Sequence, residues 1–542
     1  MAIKDKAVSA RPDLYVGLVC AAGTDLSDLK DQIQAQLSVV GYDIQIIKVS
    51  NLIKQIIELP HIDDEYYRMK ALMRGGDCIR EASEGGNGVA SAIVSEIRRL
   101  RNGSELPQST AYVIDSLKSP YEISLLDQIY GRNFYSISVF KPQSERTDTL
   151  SGLIAKKRHQ PPGDEHRSLA NDLIKEDEKG SGKKAQNVQS TFPKADFFVN
   201  GSQNTSSQIE RFIKIIFGQP FETPTLDEYA MFMARGSALR SCDLSRQVGV
   251  AIVDQDRSIL ATGFNDVPYP GGGVFLPEFG GKIGDNRDFK EGHDPNYIEI
   301  QRTLIEFIKL LQSVGHVDVS LDPSTVADGL LHGEYKELTS NVRIRNLIEF
   351  GRVVHAEMHA ISQAASSGRS VKGASLYSTT FPCHGCARHI ISSGISEVVF
   401  IEPYPKSMTF HLYGKEIEMV SDRSEVQSPD EMIRTVKFRP FYGVAPQLYM
   451  RAFTAHERKN QYGTIATWLP KTAVPVGAVF GVERPKTEVA AAASLASVAK
   501  RAIKLFAEQS QTEGADNGAQ DTLGSNGGRQ SFFSKIFQGR AN

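Results

Sequence analysis

Through residue 217 the chain alternates short apolar runs with amphipathic stretches. Leu14 to Cys20 (LYVGLVC) is unbroken by any charge, then gives way to Ala-Ala-Gly-Thr-Asp. That pattern predicts a buried strand, a glycine turn and a helix opening near Asp25. Further strands are predicted at 44–49, 111–115 and 134–140, with helices at 63–73, 89–100 and 121–130 between them. Alternation of this kind predicts an α/β domain with a mostly parallel sheet. Residues 156–184 change character, with charges of both signs mixed, and read as a solvated helix and loop. The apolar pattern returns at 195–199 and in a helix over 207–217, and Gly218 to Thr225 (GQPFETPT) reads as a linker.

A second α/β pattern begins with a helix over 226–240 and a hairpin-like pair of strands at 248–253 and 259–263. Residues 268–296 are rich in Gly, Pro and Asp and predict a long loop, the start of an insertion over about 268–345 that continues with a helix over 297–314 and a further irregular stretch. Regular patterning resumes with HAEMHAISQAA, the strand SLYST, a helix over 386–393 and the strand EVVFI. Past Tyr449 the periodicity weakens. An Ala-rich helix is expected over 487–506, and 509–542 reads as a flexible tail. The expected organisation is therefore a domain over 10–217, the linker, a domain over 226–450, a helical extension over 451–508 and the tail.

Composition changes this picture only by exclusion. At 40% hydrophobic and 23% charged residues, 542 residues make ordinary folded domains. The formal charge of -2 excludes a chain-wide electrostatic affinity for nucleic acid. No apolar run is long enough to span a bilayer, so no membrane association is expected. The start MAIKDKAVSARPD lacks the apolar core of a signal peptide, and the 5 cysteines make no disulfide framework; both fit a cytoplasmic protein.

Chemistry concentrates in two short motifs. His355-Ala356-Glu357 opens one expected helix, and Pro382-Cys383-His384-Gly385-Cys386 opens another. Two thiolates at i and i+3 with an imidazole supply three zinc ligands and leave the fourth position open. An open position is what a catalytic zinc needs, since water there loses a proton near neutral pH. Glu357 stands close enough to move that proton without binding the metal. A closed structural site is the competing reading, with His359 or His384 as fourth ligand, and it leaves Glu357 without work. Thioredoxin-like chemistry does not explain His355 and Glu357, and a metalloprotease needs His and Glu adjacent.

H-x-E followed by P-C-x-x-C is the signature of zinc nucleobase deaminases. With SALRSCDLSRQVGVAIV, ILATGFND, GASLYSTTFPCHGCARHIISSGI and VVFIEPY, residues 226–405 resemble the deoxycytidylate deaminase family. The resemblance implies a cytidine-deaminase-like three-layer α/β/α domain. It implies zinc on His355, Cys383 and Cys386, proton transfer by Glu357, and contact of Asn265 with sugar and base; a turn role for Asn265 is the plainer alternative. PYPGGG after Asn265-Asp266-Val267 has no Cys, so one zinc per chain is expected.

The first domain resembles the P-loop NTPase/kinase-like fold, with VIDSLKSPYEISLLDQIYGRNF as its acid-ended strand and following helix. Its phosphate loop is degenerate: Thr24 stands where Lys is needed, Asp25 where Ser or Thr is needed, and Gly17 is one residue early. Amides at Gly23 and Thr24 are expected to cradle a phosphate, and Asp115 is either a metal ligand or a polar strand end. This pairing of domains is similar to the anti-phage dCTP deaminases. That similarity implies deamination of dCTP, and of dCMP, in antiviral defence, with activity held off by an inhibitory small RNA or other regulator. A homo-oligomer is expected. Two other readings stay open: a polynucleotide deaminase, and a regulatory nucleotide-binding protein with a structural zinc.

Overall fold

In the computed structural model, residues 11–519 are described apart from 102–108, 181, 280–283, 334, 340–341, 403–406, 423–434, 455–456 and 479–483. The twelve strands among them are β1 (Leu14–Cys20), β2 (Asp43–Lys48), β3 (Thr110–Leu117), β4 (Phe134–Phe140), β5 (Phe197–Asn200), β6 (Gly249–Val253), β7 (Ile259–Phe264), β8 (Ser375–Thr380), β9 (Glu397–Glu402), β10 (Ile417–Met419), β11 (Val436–Pro440) and β12 (Gly443–Val444). The chain divides into two compact units. The first is drawn from 1–232, 397–403 and 417–513, the second chiefly from 233–396 with 404–416.

In the first unit β5, β4, β1, β3 and β2 lie side by side in that order and all parallel, with β12 added antiparallel to β5. The unbroken apolar run of β1 is explained by burial on both faces. Leu14, Val16 and Leu18 pack with Leu29, Ile33 and Leu37 of the helix Ser27–Val39, whereas Tyr15 and Val19 pack with Ile79, Val94 and Leu126 on the other side. Strands β9, β11 and β10 also pair in parallel within this unit.

The first helix opens at Ser27, near Asp25 as expected, with Leu26 in the N-cap position, and the Asp25 carboxylate accepts from the Ser27 amide (2.9 Å) and hydroxyl (2.8 Å). Several expectations change here. Gly17 is not part of the loop after β1. It sits inside the strand, where an added Cβ would lie 2.5 Å from Leu117 Cδ1, so it is a packing glycine. The charged segment is only partly solvated, since the helix Asp164–Glu178 buries Leu173, Ile174 and Asp177. The Ala-rich helix runs over Arg484–Ala519, past the expected start of the tail. The rest of that tail and residues 1–10 lie outside the described residues.

In the second unit β6 pairs antiparallel with both β7 and β8, as the hairpin pattern predicts for the first pair. The helix expected over 297–314 is present as Pro295–Ser313, and the stretch after it, expected to be irregular, carries a second helix, Pro323–Leu331; the two share a small core of Ile308, Val317, Val326 and Ala327.

Candidate metal centre and active site

Both motifs sit at helix starts, in the second unit. His355 is the extended residue before the helix Ala356–Ser366, and Cys383 is the extended residue before the helix His384–Ser392. Unpaired amides and the positive end of the helix dipole therefore face the space between the motifs, which favours thiolate there. His355 is held in place by its neighbour: the Val354 amide donates to the Asp266 carbonyl at 2.9 Å, just past β7.

His355 Nδ1 lies 3.3 Å from the Sγ of both Cys383 and Cys386. Zinc bonds of about 2.3 Å to sulfur and about 2.0 Å to nitrogen at a tetrahedral angle put such atoms about 3.5 Å apart. The donor set fits zinc. Among the described residues these form the one group of three or more such side chains whose ligand atoms lie close together, and neither His359 nor His384 belongs to it. His359 Nδ1 is instead 2.9 Å from the Phe264 carbonyl, seating its helix on β7.

Glu357 is the next residue but one after His355 and only 4% exposed. The Cys386 thiol donates to its Oε2 at 3.2 Å, which places the carboxyl beside the sulfur pair. Contact with Cys386, aided by His355, holds the Cys383 thiol down to about 4. The Cys383 sulfur in turn raises His355 to about 9. Burial, with the charge on Cys383, pushes the Glu357 carboxyl up. Zinc binding at these side chains would displace the protons they carry.

A cavity of about 210 Å³ opens onto this group, lined also by Asn265, Thr380 and Phe381. Asn265 is a brace: its Oδ1 accepts from the Val248 amide (2.7 Å) and its Nδ2 donates to the Arg246 carbonyl (2.8 Å). It ties the 243–248 loop to the end of β7 and so shapes the wall that loop provides. That wall, with Asp243 and Arg246, was not assigned a role by sequence reasoning, although CDLSR stood within the matching segment. Asp288, Asp294, Asn296 and Ile348 form another part of the wall. Nothing in their spacing marks them. Gly17 lies in the other unit and away from any loop, whereas Gly23, Thr24 and Asp25 line a separate cleft there.

Gly263 is the other missed residue. A Cβ added to it would lie 2.2 Å from the Ala356 carbonyl oxygen and 2.6 Å from the Ala360 amide nitrogen. Only glycine lets β7 approach the backbone of the helix that carries Glu357 so closely. Gly263→Ala is expected to lower turnover at least about 10-fold by shifting His355 and Glu357, and to cost about 1–3 kcal/mol of stability. Steady-state rates and a denaturation curve check it; wild-type values in both would show that the helix is not seated there.

Residues 224–402 match the family model of the cytidine and deoxycytidylate deaminase zinc-binding region. The deoxycytidylate deaminase of Enterobacteria phage T2 is 31% identical over 157 residues, covering 29% of this chain and 70% of its own. The phage T4 deoxycytidylate deaminase is 28% identical over 162 residues, with 29% and 68% covered. A probable deoxycytidylate deaminase of Drosophila melanogaster is 28% identical over 216 residues, with 40% and 78% covered. The segment matched by the family model contains His355, Glu357, Cys383 and Cys386, and on this kinship the chain belongs to the cytidine and deoxycytidylate deaminase family.

Proposed function

We propose that the second unit removes the 4-amino group of deoxycytidine nucleotides by hydrolysis, taking dCTP and also dCMP to the deoxyuridine nucleotides. One observation carries this reading: a buried carboxyl, Glu357, stands beside three side chains that could together hold zinc. Zinc held by His355, Cys383 and Cys386 supplies a Lewis acid that makes water nucleophilic near neutral pH. Glu357 Oε2 takes one proton of the attacking water to ring N3, where it stays, and then carries the proton left on the C4 oxygen to the departing amine, so that C4=O forms. A C4–O bond forms, the C4–N bond breaks, and ammonia leaves. Asn265 contributes by holding the 246–248 backbone against the substrate, and contact with sugar or base is proposed for it as well.

The purified full chain is expected to release ammonia from dCTP and dCMP, with CMP and a cytosine-containing oligonucleotide turned over far more slowly. Turnover of the oligonucleotide alone would replace this reading with a polynucleotide deaminase. The near-neutral charge of the chain and its single Trp speak against that alternative, which needs a positive channel and aromatic stacking platforms. No turnover of any of them by a zinc-loaded chain would leave a regulatory protein.

We propose, on resemblance alone, that the enzyme lowers the dCTP pool in anti-phage defence, acts in the cytoplasm as a homo-oligomer, and is restrained by a small RNA or another regulator. The first unit is proposed as a P-loop kinase-like domain; its parallel strand order and the glycine turn after β1 support this. The defence role is tested by measuring dCTP in infected cells: a fall with the wild-type chain but not with Glu357→Gln is expected, and equal pools would refute it.

A further inference from the structure

Four carboxylates line the cavity that opens onto the ligand group: Asp243, Asp288, Asp294 and Glu357. Among the described residues the same lining holds one arginine, Arg246. Nucleotides are anions, so a carboxylate left uncompensated in this wall repels them. What balances each acid therefore bears on what the cavity admits.

Three of the four are held by the local fold or by the chemistry. Asp294 caps the helix Pro295–Ser313, its Oδ1 accepting from the amides of Asn296 (2.9 Å) and Tyr297 (3.4 Å), where the positive end of the helix dipole offsets its charge. Asp243 Oδ1 turns the loop before β6 by accepting from the amides of Ser245 (2.7 Å) and Arg246 (3.1 Å). Glu357 is the proton carrier already placed beside Cys386.

Asp288 is different. Its side chain is 9% exposed, and its Oδ1 makes no aligned hydrogen bond but lies 3.1 Å from Nη1 of Arg352. The adjacent Arg287 is turned elsewhere, bidentately to Asp285 (2.9 and 2.7 Å) and to the Cys242 sulfur (3.3 Å). Burial pushes the Asp288 carboxyl up, Arg352 opposes that rise, and Asp243 and Asp294 add to it. Arg352 Nη2 also donates to the Asn286 carbonyl at 2.8 Å, which fixes the guanidinium on the segment that carries Asp288. Gly351 and Val353 line the cavity and Arg352 between them does not, so the charge of Arg352 acts on the cavity through Asp288.

We propose that Arg352 is a specificity-determining residue: paired with Asp288, it cancels a negative charge in the cavity wall and so lets the site take anionic nucleotides as well as the uncharged nucleoside. The proposal rests on the reading of the second unit as a deaminase of deoxycytidine nucleotides. Its effect is graded by the charge of the substrate. A purely structural Arg352 would serve dCTP, dCMP and deoxycytidine alike. A charge-balancing Arg352 matters most for dCTP, which brings two more phosphoryl groups than dCMP, and least for deoxycytidine.

The test uses the zinc-loaded full chain at low ionic strength and about pH 8, well above the carboxyl range. It measures kcat/KM for dCTP and dCMP, and the inhibition constant of deoxycytidine against dCMP. Arg352→Gln, which keeps a donor for the Asn286 carbonyl, is expected to lower kcat/KM about 10-fold for dCTP and about 3-fold for dCMP, with deoxycytidine within about 2-fold of wild type. Added salt should narrow that spread, Arg352→Lys should keep most of the wild-type rates, and Arg352→Gln with Asp288→Asn should regain them. Zinc content and melting temperature report whether each variant is folded. Should Arg352→Gln not fold, Asp288→Asn decides with the opposite sign, since dCTP must then gain on dCMP. Equal losses for all three ligands, no loss, or a double variant as poor as the single one overturns the proposal while the deaminase reading stands. A wild-type chain that turns over neither nucleotide overturns both.

Discussion

Glu357→Gln is expected to lower turnover of dCTP and dCMP by about 10²-fold or more while the zinc content stays that of the wild type. The amide keeps the size and shape of the side chain, so its place beside the ligand group survives. What it loses is the ability to carry a proton from water to the ring and on to the amine. Glu357 is buried at the start of its helix and is not among the three metal-ligating side chains, so the metal should not notice the change. Rates measured alongside metal analysis separate the two effects. Wild-type turnover in a zinc-loaded Glu357→Gln chain would remove Glu357 from the chemistry. Loss of zinc together with activity would make it a ligand or a structural support instead.

The parts of this site that were legible in the sequence are those whose chemistry is local. His355 and Glu357 share one helix start, Cys383 and Cys386 another, and ligand spacing of i and i+3 can be read without knowing the fold. The strand β1 was legible to the residue for a similar reason, since burial on both faces demands an unbroken apolar run. The walls of the cavity were not. Asp243, Asp288 and Ile348 reach it from segments far apart in sequence, and no spacing relates them. Gly263 was invisible because its role is the absence of a side chain where β7 meets a helix. Gly17 misled for the converse reason: glycine near a strand end suggests a loop, and here it makes room for Leu117. The last helix runs on through Gly514 and Gly518 into residues whose composition reads as a linker, because local propensity is a weak prior against a helix already under way.

Cys386→Ala is expected to abolish both zinc binding and deamination. The wild-type chain should hold close to one zinc, since one three-residue ligand group is present among the described residues. Cys386 is 0% exposed and its sulfur touches both His355 and Glu357, so it is the side chain on which ligand group and proton carrier meet. Its removal leaves two ligands, and zinc should then bind at least about 10²-fold more weakly. Because metal binding adds to folding free energy, the melting temperature should fall as well, and added zinc should no longer raise it. Cys383→Ala should behave alike. Cys242→Ser is the control: Cys242 is an exposed thiol outside the ligand group, and this variant should keep both metal and rate. A folded Cys386→Ala chain that retains one zinc and normal turnover would mean that the metal lies elsewhere. A Cys242→Ser chain that loses zinc would mean that the ligand set is incomplete as described.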